Sequence, residues 1–187
     1  MPNRFAKIVA CVVLSVAASS QAEWEKVPTM DWSGVKIEDF TDRELDIPRM
    51  LAYFSTVANG VVEQGENRGF LDIKVNRNPE DNKPYNARIM ENHLALAYFY
   101  TVDRPWNKYR GSEAVKKRLE AMLEFWLTRH SPDGWLAEYK EGGFNLPATS
   151  FGAMFMSQTL ELLNKGEPTI DADLLKRVTA AQRKSIM

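Results

Sequence analysis

Apolar residues along this chain come first as one unbroken block and then, for most of its length, at helical spacing. The block is Ile8–Ala18 (IVACVVLSVAA), uncharged, preceded by Arg4 and Lys7 and followed by the small-residue step Ser20-Gln21-Ala22. That order reads as an export signal, with cleavage expected before Glu23. The run is shorter than the ~20 apolar residues a spanning helix needs. Residues 1–22 therefore predict a periplasmic or secreted protein with no membrane segment after cleavage.

Residues 23–40 (EWEKVPTMDWSGVKIEDF) hold no sustained period and predict an extended arm over the surface of the domain. Thr41-x-x-Glu44 has capping-box spacing and predicts a helix start, with the hydroxyl accepting from a free N–H. After Pro48, the positions Met50, Leu51, Phe54, Val57, Ala58, Val61 and Val62 form one helical face. Phe70 to Asn76 alternate as a short strand would, and Asn78-Pro79 opens a loop. A second helix is predicted from about Asn86 to Thr101, with Ile89, His93, Leu94, Leu96, Ala97 and Tyr100 near one stripe.

The clearest face belongs to a third helix, roughly 113–129: Val115, Leu119, Met122, Leu123 and Trp126 point one way, Lys116, Lys117, Arg118 and Glu120 the other. Ser131-Pro132-Asp133-Gly134 predicts a turn, and 135–147 a loop. A fourth helix, about 148–164, is apolar on much of its circumference, including Phe151 and Met154-Phe155-Met156, and is expected in the core. A fifth starts near Asp171 and shows Leu174, Leu175, Val178 and Ala181. The domain organisation is a signal peptide at 1–22, an arm at 23–40 and an all-α domain of helical hairpins at 41–187.

Composition removes several classes of function. The formal net charge is −1, which leaves no broad basic face for nucleic acid. The only cysteine, Cys11, leaves with the signal, so the mature chain has no disulfide, no thiol nucleophile and no thiolate metal site. Two histidines, without an HExxH or a carboxylate cluster at ligand spacing, predict no metal. No cofactor motif appears, because Gly142-Gly143 lacks the spacing and the following Lys of a phosphate loop.

Residues 86–163 carry a resemblance. HLALAYFYTVDRPWNKYRGSEAVKKRLEAMLEFWLTRHSPDGW runs from a helix through an aromatic loop with a Tyr-Arg-Gly step into an amphipathic helix and an Asp-Gly-Trp turn, and the helix of NLPATSFGAMFMSQTLELL follows. This resembles the opening helical hairpins of secreted (α/α) toroid polysaccharide lyases, of the heparinase II/III-like and hyaluronate-lyase-like groups. The resemblance implies part of an incomplete (α/α) toroid, with a groove for an acidic polysaccharide or oligosaccharide containing uronate. It also implies β-elimination: a Tyr or His removes the proton alpha to the carboxyl, a Tyr protonates the leaving oxygen, and an Asn or Arg offsets the carboxylate charge. The family's catalytic residues usually lie in later hairpins, and none maps onto a position here. A full toroid needs more helices than this chain offers, at ordinary helix and loop lengths. Residues 1–187 are thus expected to be the N-terminal part of a longer enzyme, completed by a C-terminal part.

Asn92-His93 offers a base beside a carboxylate-neutralising amide, or a hydrogen-bonded histidine in the core. Trp135, Glu138, Tyr139 and Asn145 follow the Asp-Gly turn, where an aromatic plate stacks on a sugar ring and polar neighbours take its hydroxyls. Trp135 fits equally as a plug between hairpins. Asn86 and Arg88 open the second helix, where Arg meets a carboxylate by paired hydrogen bonds or the turn simply caps itself. Trp106, Tyr109 and Arg110 leave the same two readings open. His130 sits at a helix C-terminus, which favours a cation. Two other functions fit: a non-catalytic glycan-binding or structural helical domain, and a toroid glycoside hydrolase drawing carboxylates from Glu138 with Glu141 or Asp133.

Overall fold

The computed structural model describes residues 23–41, 44, 48–73 and 82–186. The predicted export signal, the second half of the strand predicted at 70–76 and the loop opened by Asn78-Pro79 lie outside the described residues. The protein is all-α. After a 3-10 turn at Ile37–Asp39 come α1 (Pro48–Leu51), α2 (Phe54–Asn59), α3 (Ala87–Met90), α4 (His93–Thr101), α5 (Glu113–Leu127), α6 (Leu146–Leu163) and α7 (Ala172–Ile186). Among the described residues, extended pairing is limited to two isolated bridges, Val61 with Leu71 and Ala137 with Phe144.

Four helices form two hairpins that stack side by side. The end of α4 meets the start of α5 where the Gly111 N–H donates to the Tyr100 carbonyl at 2.9 Å. In the second hairpin, the Gln182 side chain of α7 reaches back to the Ala153 carbonyl of α6 at 2.7 Å. Between hairpins, α4 packs on α6 and α5 on α7. Both pairs run in the same direction. His93 meets Thr159 at 2.8 Å, and farther along Tyr100 donates to the Thr169 carbonyl at 2.7 Å. On the other layer, Asp171 N–H meets Glu120 at 2.9 Å, and Arg177 meets Glu124 six and four positions on. One layer is therefore α4 with α6, the other α5 with α7.

The face predicted for α5 is in the core: Val115, Leu119, Met122 and Leu123 are 0% exposed and Trp126 1%. Fully burying each such side chain stabilises the fold by about 1.5–3 kcal/mol. Arg118, expected on the opposite, solvated face, is 0% exposed as well. The arm is the reason. It crosses that face, and the guanidinium donates to the Glu25 carbonyl at 2.9 Å and ion-pairs with Glu63 at 3.4 Å. Burial lowers the Arg118 pKa, with the Glu63 charge opposing. Val27 is 2% exposed and exchanges two hydrogen bonds with the Asn59 amide, at 2.9 and 2.8 Å. Trp106 and Tyr109 are core residues too, Tyr109 tilted against Phe54 at 4.6 Å.

Elsewhere the periodicity overreached. The long helix after Pro48 is two short ones, and Val61 leaves the helix to bridge Leu71. The bend between Val61 and Leu71 closes on Gly69, whose φ is +92° and whose backbone lies so near α5 that a Cβ would sit 2.0 Å from the Ala121 carbonyl oxygen. The helix predicted over 86–101 breaks at Glu91-Asn92 into α3 and α4, and the Asn92 side-chain amide donates to the Ile89 carbonyl at 2.8 Å across the break. On α6, Ala153, Met156, Leu160 and Leu163 are buried, but Phe151 is 43% and Met154 46% exposed. That helix has core on one side and solvent on the other.

Candidate functional site

A groove of about 1260 Å³ runs along the α4/α6 layer. Its lining comes from α3 and α4 (Arg88, Asn92, Tyr98), from α6 (Phe155, Gln158, Glu161), and from the segments holding Arg104, Arg110, Glu138 and Tyr139. Gln158 and Glu161 sit three positions apart on the α6 side that turns away from Met156 and Leu160. The half-exposed face of α6 is thus a wall of the groove.

Part of the lining is a saturated carboxylate. Glu44 accepts from the Tyr98 hydroxyl at 2.6 Å, from the Thr41 N–H at 2.9 Å and hydroxyl at 2.8 Å, and from Arg104, whose Nη2 is 3.0 Å from both oxygens. Burial alone would raise its pKa, but the donors from Tyr98, Thr41 and Arg104 outweigh that and hold it down to about 2. Burial, with the Glu44 charge, raises the Tyr98 pKa in turn. This unit is half the expected capping box: the Glu side reaches the Thr41 N–H, while the Thr41 hydroxyl donates to the carboxylate instead of accepting from backbone. With every lone pair engaged, it is a structural tie and not a proton carrier near neutrality.

A second charged cluster lies at α3. Asn86 caps that helix, accepting from the Arg88 N–H at 2.9 Å. The Arg88 side chain ion-pairs with Glu91, lies 4.0 Å from Glu138, and covers the Phe151 ring with its guanidinium 4.0 Å from the centroid. Cation–π contact of this kind holds an arginine flat and oriented. Glu138 is 3% exposed; its neighbour Tyr139 is 72% exposed. The carboxylate is therefore fixed beneath while the phenol stands in solvent at the edge of the groove.

The structure brings Asn86, Arg88, Asn92, Glu138 and Tyr139 together on this one groove. Three other candidates lie apart from its lining. His93 is 1% exposed, turned between α4 and α6. Thr159 gives its own proton to the Phe155 carbonyl at 3.0 Å, so His93 Nδ1 is the donor in their 2.8 Å bond. Burial pushes its pKa down to about 3, which keeps the ring neutral. Asn145 is the N-cap of α6, accepting from the Ala148 N–H at 2.9 Å. Trp135 is 41% exposed, and its backbone N–H donates to the Ser131 hydroxyl at 3.0 Å.

His130 lines a separate pocket of about 510 Å³ beside α7. Burial lowers its pKa to about 4, against hydrogen bonds to the Trp126 and Leu127 carbonyls that raise it, so the cation expected at this helix end does not form near neutrality. Among the described residues, no group of three or more His, Asp or Glu is placed to hold a metal, and no helix is long and apolar enough to cross a membrane.

Sequence reasoning missed Tyr98, Arg104 and the α6 wall. Glu44 was visible only as a helix start, and nothing in its spacing points to partners 54 and 60 residues away. The long polar side chains Gln158 and Glu161 in a largely apolar helix were the available signal for the wall. No protein-family model, curated protein or solved structure matches this chain.

Proposed function

We propose that the α4/α6 groove binds a uronate-containing glycan and that the protein is an exported polysaccharide lyase-type protein acting by β-elimination. The observation that carries this reading is the meeting of a guanidinium (Arg88), an amide (Asn92) and an exposed phenol (Tyr139) on one open groove. β-Elimination needs those groups. The proton alpha to a uronate carboxyl is barely acidic until the carboxylate charge is offset, which Arg88 and Asn92 would do. In its deprotonated form Tyr139 would take the proton alpha to the carboxyl and return it to the leaving oxygen, as the bond from the ring carbon to that oxygen breaks and a carbon–carbon double bond forms. Tyr139 and the half-buried Phe155 add ring faces for a sugar's C–H surface.

The paired layers support the architectural half of the proposal. Hairpins α4/α5 and α6/α7 stack with like helices side by side, which is the repeating unit of an (α/α) toroid, with the groove on one layer.

The test is to mix the purified protein with polyuronates and follow the ultraviolet absorbance of the unsaturated uronate product. Its appearance supports the lyase reading. Reducing ends without the new double bond would identify a hydrolase, and binding without turnover a glycan-binding domain.

A further inference from the structure

The charges of the groove define which uronate glycan it takes. Arg104 is held by Glu44 at 3.0 Å, and Arg88 ion-pairs with Glu91. Arg110 lies 3.9 Å from Asp103, and Lys165 3.0 Å from Glu161. Each of the four cations on the described lining therefore already has a carboxylate from the same lining. Glu138 and Glu167 add two more acids, so described carboxylates outnumber cations six to four.

We infer, on the basis of the glycan-binding reading above, that this groove selects a sparsely charged uronate polymer, with one carboxylate per repeat, and rejects sulfated glycans. A single carboxylate can exchange places with Glu91 on Arg88, whose planar guanidinium donates two parallel hydrogen bonds to a carboxylate. A sulfated repeat brings further fixed anions for which the described lining holds no uncommitted cation. Those anions would face Glu161 and Glu167 instead, and like charges repel over several ångströms. The hydroxyls of an unsulfated ring meet the same carboxylates as hydrogen-bond acceptors, so the acidic excess that repels sulfate helps to hold a neutral sugar face.

The test is equilibrium binding of the full chain to size-matched unsulfated oligosaccharides (hyaluronan, unsulfated chondroitin) and sulfated ones (heparin, chondroitin sulfate) across a salt series. At low salt, unsulfated ligands are expected to bind at least about tenfold more tightly, with the gap narrowing as salt shortens the ~10 Å screening length. A Glu161→Gln, Glu167→Gln double variant is expected to narrow the gap at fixed salt. Equal or tighter binding of the sulfated ligands by the wild-type protein would overturn the inference and leave the glycan-binding reading standing. No binding to any of the four would overturn both.

Discussion

The Tyr98 hydroxyl donates to Glu44 at 2.6 Å, joining α4 to a residue 54 positions earlier in the chain. With Arg104 on the same carboxylate, this bond ties the segment before α1 to the groove's α4 wall. Removing either donor leaves a part-buried carboxylate short of a partner. Tyr98→Phe is expected to lower unfolding free energy by about 2 kcal/mol, since a hydrogen bond to a charged group is lost. Chemical denaturation at neutral pH checks the value; a change below about 0.5 kcal/mol would show that the tie is dispensable.

Acid should act on the same carboxylate. The Glu44 pKa falls from 4.5 to about 2 on folding, so between those values the unfolded chain binds more protons than the folded one. The stability it contributes is fully present above pH 4.5 and is lost as pH falls toward 2. Glu44→Gln is expected to flatten that limb of the stability curve while lowering stability near neutrality. An unchanged slope in the variant would assign acid sensitivity to other groups.

His93 adds a limb at higher pH. Its pKa drops from 6.5 to about 3 on folding because the ring is buried, so its contribution is complete above pH 6.5 and disappears on acidification toward 3. His130, lowered to about 4 by burial, acts in the same direction over part of that range. His93→Leu is expected to reduce the loss of stability between pH 6.5 and 4. Proton NMR of the wild-type imidazoles checks the premise: a ring assigned to His93 that titrates near 6.5 would contradict it.

Gly69 is a close-approach glycine. Alanine there meets both the unfavourable φ of +92° and the Ala121 carbonyl oxygen at 2.0 Å. Gly69→Ala is expected to destabilise by more than about 2 kcal/mol, read from the denaturant midpoint.

Much of this molecule was legible in its periodicity. The stripe of α5 is the core, and α7 buries Leu174 and Val178 as their spacing implied. Periodicity failed where a third element decides burial. Arg118 flanks the apolar stripe, and its fully buried guanidinium is explained by the arm laid over it and by Glu63 beside it. Phe151 and Met154 read as core because α6 is apolar on much of its circumference, yet both are exposed, at 43% and 46%. The site was half legible. Amide, guanidinium and phenol near the helix starts and the Asp-Gly turn were visible as residue types, but Asn145 was spent on a cap and Glu44 was engaged by partners remote in sequence.

The groove is tested most directly by two exposed aromatics, one on its lining and one off it. Tyr139→Ala and Trp135→Ala should both fold, because these side chains are 72% and 41% exposed. The measurement is titration of each variant with an unsulfated uronate oligosaccharide. The account predicts that Tyr139→Ala weakens binding by at least about fivefold, roughly 1 kcal/mol, while Trp135→Ala binds as the wild type does. Binding lost in Trp135→Ala and kept in Tyr139→Ala would place the glycan elsewhere and contradict the account.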